Sequence, residues 1–118
     1  EGNLMYGFSP SISRKSMKRI VEMMRKLKFH RWVRMDIFQV SEALSAKVRG
    51  WIYYYGRFHK AGLQRIFKYL NERLTKWAFN KYKRFKRRRT RWFARLWLRQ
   101  VAKDYAYLFP HWQHGFTP

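Results

Sequence analysis

Cysteine is absent from this 118-residue sequence, which excludes disulfides and any thiolate metal site. Acidic residues are scarce: Glu1, Glu22, Asp36, Glu42, Glu72 and Asp104 are the whole set, scattered and with no Asp-Asp pair. Two-metal phosphoryl chemistry needs clustered carboxylates to hold its cations, so no catalytic residue is assigned. There is no Gly-rich phosphate loop and no Ser, His and Asp at a spacing that supports a triad. His111 and His114 are neighbours, but His30 and His59 are distant and no cysteine joins them. The pair reads as packing residues among aromatics, and neither a metal nor a cofactor is expected. No uninterrupted apolar run approaches the roughly 18 residues of a membrane span, so no spanning segment is expected; an anionic membrane surface stays open to so basic a chain, although no membrane is among the partners expected. The chain opens on Glu1 with no signal peptide ahead of its first helical pattern, and it reads as a piece of something longer and not secreted.

What the chain does hold is positive charge. Lysine and arginine number 28 against 6 acids, a formal net charge of +22. Self-repulsion at that charge works against compactness, and a polyanion is the usual compensation. Aromatics at 20% and hydrophobics at 47% separate the chain from disordered polyelectrolytes, which lack such residues. The length suffices for one small domain, or for two helical subdomains sharing a core.

Periodicity predicts a mainly α fold, a small bundle of about four helices with an extended N-terminal segment and an irregular aromatic C-terminal tail. Residues 1–12 carry Gly2, Gly7 and Pro10 and little charge, and read as extended. Ser13 is the expected N-cap of a first helix with Met17, Ile20, Val21, Met24 and Leu27 on one face and Lys15, Lys18, Arg19, Arg25 and Lys26 on the other. Residues 30–35 form a connection. Asp36 and Gln39 have the spacing of a capping box. The central helix that follows runs to about Phe58, with Ile37, Val40, Leu44, Val48, Trp51 and Tyr55 as its apolar stripe. Gly50 lies on a second face with Ala43 and Tyr54, while Arg49, Tyr53 and Arg57 point away from the stripe. Glycine inside a helix costs about 0.5–1 kcal/mol against alanine, so close approach of another backbone or of a ligand is expected at Gly50. A third helix has Leu63, Ile66, Phe67, Leu70, Leu74, Trp77 and Ala78 as its stripe. Thr90 can cap a fourth, from about Arg91 to Lys103, and residues 105–115 fold back over the helices.

The stretch Arg49-Gly50-Trp51-Ile52-Tyr53-Tyr54-Tyr55 resembles the signature of the maturase-specific region of group II intron reverse transcriptases. Arg49, Gly50, Trp51, Tyr54 and Tyr55 match it. The family usually has Asn where this chain has Tyr53, and often Asn-Pro where it has Ser45-Ala46. The order of the surrounding features extends the resemblance over nearly the whole chain. It implies an extended end of a polymerase palm at 1–12, thumb-like helices at 13–58, and maturase (X)-like helices with a basic and aromatic tail at 59–118. It implies a bacterial cytoplasmic or organellar-matrix protein whose helices grip structured intron RNA, promote splicing, and help hold template and primer. The partners implied are that RNA, DNA or an RNA–DNA hybrid, and an upstream polymerase domain of the same parent protein. The parent would be an RNA-directed DNA polymerase, whereas this chain has no catalytic carboxylate cluster of its own.

Read without the resemblance, the residues indicate binding. Basic side chains neutralise phosphates, and aromatics among them stack on unpaired bases. Lys81, Lys83, Arg84, Lys86, Arg87, Arg88, Arg89 and Arg91 form the densest candidate, interleaved with Tyr82, Phe85 and Trp92. Arg84, Arg87, Arg88 and Arg91 do not fit one helical face, so a groove or encircling contact is expected. Tyr53 and Arg57 form a second candidate, and Lys18, Arg19 and Arg25 a third. Two further classes fit the composition: a stand-alone basic helical DNA-binding protein with a turn at 59–62, and a cationic membrane-surface protein.

Overall fold

The computed structural model describes residues 10–55 and 60–118, with side chains at 15–55 and 61–118. Its helices are α1 (Pro10–Leu27), α2 (Ile37–Tyr55), α3 (Lys60–Lys81), α4 (Lys83–Lys86), α5 (Trp92–Asp104) and α6 (Pro110–Gln113). Short 3-10 turns lie at Phe29–Arg31 and Ala106–Leu108. Four of the helices are long, as expected, and the described residues contain no strand. The expected extended segment lies largely outside the described residues. The first helix begins earlier than the Ser13 cap implies: Pro10 opens it, and proline suits a first helical position because its missing N–H would have no partner there.

Each boundary has a local cause. Lys28 takes a left-handed conformation, φ 50°, and ends the run from α1. At the start of α2 the capping box is complete. The Asp36 N–H donates to Gln39 Oε1 at 2.9 Å, and the Gln39 N–H donates to Asp36 Oδ1 at 2.8 Å. Extended backbone at Tyr82, φ −102° and ψ 116°, separates α3 from α4. Thr90 Oγ1 accepts the Trp92 N–H at 2.9 Å just ahead of α5, but the capping position itself is held by Arg91, one residue later than expected.

The centre of the molecule is α3, against which α1, α2, α4, α5 and the first 3-10 turn all pack. All seven residues of its expected stripe are buried. Ile20 and Met24 from α1, and Ile37, Val40, Leu44 and Val48 from α2, complete that side of the core. Trp51 and Tyr55 are half-buried against it. On α5 the buried face is Ala94, Leu98 and Ala102, so the side carrying Trp92, Leu96 and Arg99 faces outward. The half-buried Trp97 packs at the edge of this face, its ring 6.4 Å from that of Trp77 on α3.

Polar side chains on α3 fix the loops. Arg73 Nη2 donates to His30 Nδ1 at 2.8 Å, Asn80 Nδ2 to the His30 carbonyl at 3.2 Å, and Trp77 Nε1 to the Trp32 carbonyl at 2.7 Å. On the other side, Asn71 holds the tail. Its Oδ1 accepts from His111 Nε2 at 2.8 Å and Trp112 Nε1 at 3.0 Å, while its Nδ2 donates to the Phe116 carbonyl at 3.0 Å. An indole N–H only donates, which fixes the amide orientation; His111 must then donate from Nε2. The expectation that His111 packs among aromatics holds: it is fully buried and stacks on Phe67, ring centroids 5.0 Å apart. His114 is exposed.

The close backbone approach expected at Gly50 is not seen: a Cβ built there meets nothing within 4 Å among the described residues. The small face it shares with Ala43 is solvent-exposed.

Candidate nucleic-acid interface

The basic run at 81–91 is one short helix and a turn. Phe85 is its anchor: buried, it packs against Tyr82 (centroids 5.6 Å) and Trp97 (6.1 Å), and Tyr82 meets Trp97 at 5.2 Å. With Phe85 turned inward, Lys83, Arg84, Lys86, Arg87, Arg88, Arg89 and Arg91 are left exposed. After Lys86 the helix stops, and Arg89 adopts φ 59°, a left-handed conformation unusual outside glycine and asparagine. That turn spreads the arginines over more than one direction, in line with the expectation that they do not share a helical face.

Two of these guanidinium groups lie over aromatic rings. Arg84 sits 4.8 Å from the Phe85 centroid and 5.1 Å from that of Tyr82, and Arg88 sits 4.5 Å from that of Phe93. Such stacking restricts the side chain without neutralising its charge. Lys81 is different. It is half-buried, its Nζ donates to the Val33 carbonyl at 2.8 Å, and it lies 5.6 Å from the Tyr82 centroid. Its first role is to close the joint between α3 and residues 31–35. The expected interleaving is also altered: Tyr82 and Phe85 are committed to packing, while Trp92 is exposed.

Little counter-charge is supplied from within. Among the described residues the one ion pair is Arg25 Nη1 to Glu22 Oε1 at 3.4 Å, both side chains largely exposed. Exposed pairs of this kind contribute about 0–1 kcal/mol, so Arg25 keeps most of its field. Lys18 and Arg19 are exposed on the same helix. Tyr53 is exposed on α2, and Arg57 lies outside the described residues.

The fold brings in cations that sequence spacing did not single out. The Lys81–Val33 and Trp77–Trp32 hydrogen bonds hold exposed Arg31 and Arg34 beside the end of α3. Arg65 and Lys68 of α3 and Arg95 of α5 line a cavity of about 450 Å³ beneath the last residues of the chain. Arg95 is 27 positions from Lys68, and Val33 is 48 from Lys81, so no local signal joins these elements. Among the described residues, no set of three His, Cys, Asp or Glu is placed to hold a metal ion, and no helix is long and apolar enough to cross a membrane.

The sequence of residues 17–97 matches the family described as group II intron, maturase-specific domain. This chain belongs to that family. The match spans the motif at Arg49–Tyr55, the whole of α2, α3 and α4, and the exposed arginine turn. The resemblance carried by the five motif residues is thereby shown for most of the chain, and the matched region is a maturase-specific domain, not a polymerase domain. No curated protein and no solved structure matches the chain.

Proposed function

We propose that this chain is the RNA-gripping helical part of a group II intron-encoded protein, binding intron RNA to promote splicing and supporting template and primer beside an upstream polymerase domain. The observation that carries this reading is the arginine turn at 84–91. Its backbone is anchored by Phe85, its charges are exposed, and two of its guanidiniums are held over rings. Membership of the maturase-specific family makes structured intron RNA the polyanion of choice. DNA or an RNA–DNA hybrid offers the same phosphate chemistry and is the second substrate of the reading. We assign 13–58 to the thumb-like part and 59–118 to the maturase-like part, with α3 as their common support.

Filter binding of the chain to a structured intron RNA across a salt series tests this. Affinity should fall steeply, because each neutralised phosphate releases counterions and adds to the slope. A flat response would remove the electrostatic basis of the proposal. Tighter binding to a DNA duplex than to intron RNA would point instead to a DNA-binding protein.

A further inference from the structure

The arginine turn grips but has few rings left for bases, since Tyr82 and Phe85 face inward. A different place combines exposed rings with positive charge. Between the outer face of α2 and the C-terminal segment lies a cleft of about 450 Å³, within the range of about 300–1,000 Å³ typical of small-ligand sites. Arg49, Ile52 and Tyr53 form one wall, and Tyr107, Gln113 and His114 line the other. Tyr53 is 76% exposed and Tyr107 is 63% exposed, so both present ring surface to solvent. Arg49 and His114 are exposed beside them, and among the described residues no carboxylate lines the cleft.

The two walls are tied together. The Ser41 hydroxyl donates to the Leu108 carbonyl and Ser45 Oγ reaches the same carbonyl at 3.5 Å, while within the C-terminal wall Gln113 Nε2 donates to the Tyr107 carbonyl at 3.4 Å. Asn71 pins the following residues through His111, Trp112 and Phe116. The cleft is therefore pre-formed, which lowers the ordering cost of occupying it.

Planar aromatic walls, a guanidinium and the absence of acid select a ligand that is flat, apolar on its faces and anionic at one edge. We propose that this cleft receives one unpaired RNA nucleotide, its base against Tyr53 and Tyr107 and its phosphate at Arg49. A paired base has its faces covered by the neighbours in the stack, so the site distinguishes a bulged or looped nucleotide from a duplex. Tyr107 and His114 lie beyond the matched residues 17–97, so half of this site is contributed by the C-terminal segment. The inference rests on the RNA-binding reading above and adds to it a means of discrimination.

Two RNA hairpins of equal length, one fully paired and one with a single-nucleotide bulge, test it by competition against the full chain. The chain should prefer the bulged hairpin by about tenfold or more, the scale of one stacked base. Tyr107→Ala should bring the ratio close to one, Tyr107→Phe should keep it, and Arg49→Gln should reduce it. Photo-crosslinking from 4-thiouridine at the bulge should map to Tyr53 or Tyr107, which reads the site without any variant. Equal affinity of the unaltered chain for the two hairpins, an unchanged ratio in Tyr107→Ala, or crosslinks confined to residues 83–91 would overturn the cleft and leave the RNA-binding reading standing. Failure to bind either hairpin would overturn both.

Discussion

Burial holds His111 neutral, its pKa lowered to about 3 from the ordinary 6.5. The cause is desolvation: Nδ1 is buried without a partner, so a proton there would gain no hydrogen bond. The folded pKa lies below the unfolded one, so the stabilisation is present above about pH 6.5 and is lost progressively as pH falls toward about 3. The loss should run at up to about 1.4 kcal/mol per pH unit. His30 shifts in the same direction, through desolvation and then the nearby cations Arg73, Lys76, Arg31 and Lys28. Urea titrations from pH 7 to pH 4 should show falling stability, and His111→Phe should flatten that dependence while lowering stability at neutral pH. An equally steep acid dependence in the variant would mean that another group is responsible. Gly50 gives the opposite kind of prediction. With open space around its Cβ, Gly50→Ala should raise stability by about 0.5–1 kcal/mol, read as a higher thermal midpoint. The sequence marked this glycine as exceptional but could not say that its surroundings are empty.

At the scale of the element, the arginine turn works because Phe85 holds it. Phe85→Ala removes the ring that meets Tyr82 and Trp97 and should cost about 3–5 kcal/mol. Replacing Arg87, Arg88 and Arg89 with Gln should leave helical content unchanged, since all three are exposed. It should weaken binding to every RNA alike and flatten the salt slope, because phosphate contacts carry little sequence information. Circular dichroism with a salt series on that variant checks both halves. A loss of discrimination between RNAs in the triple variant would move the reading of RNA features into the turn. The helices themselves were legible in the sequence, because the capping box at Asp36–Gln39 and the Thr90 bond just ahead of α5 are local chemistry. The outward side of α5 was not legible: Trp92 and Leu96 are larger and more apolar than Ala94 and Ala102, yet the alanines are the residues buried.

The whole molecule carries +22 with one internal ion pair among its described residues. Its stability should therefore rise with added salt in the absence of nucleic acid, as self-repulsion is screened over a Debye length that shrinks to about 10 Å at 0.1 M. RNA at low salt should raise the thermal midpoint further by binding the folded state, and that increment should vanish as salt increases. Melting curves at several salt concentrations with and without RNA separate the two effects. A midpoint indifferent to salt in the free chain would show that the cations are already compensated.

Composition alone excluded a thiolate site and set the chain apart from disordered polyelectrolytes by its aromatic content, and its +22 charge made an anionic partner the expectation. Periodicity determined the helices and the buried stripe of α3, and the motif at Arg49–Tyr55 determined the family. These are properties of neighbours within about one helical turn, or of sums over the whole chain. Tertiary structure decided what depends on residues far apart in sequence. Asn71 meets His111 across 40 positions, Lys81 meets Val33 across 48, and Ser41 meets Leu108 across 67. Those contacts set which rings are spent on packing and which remain exposed, because a side chain cannot both fill the core and face a base.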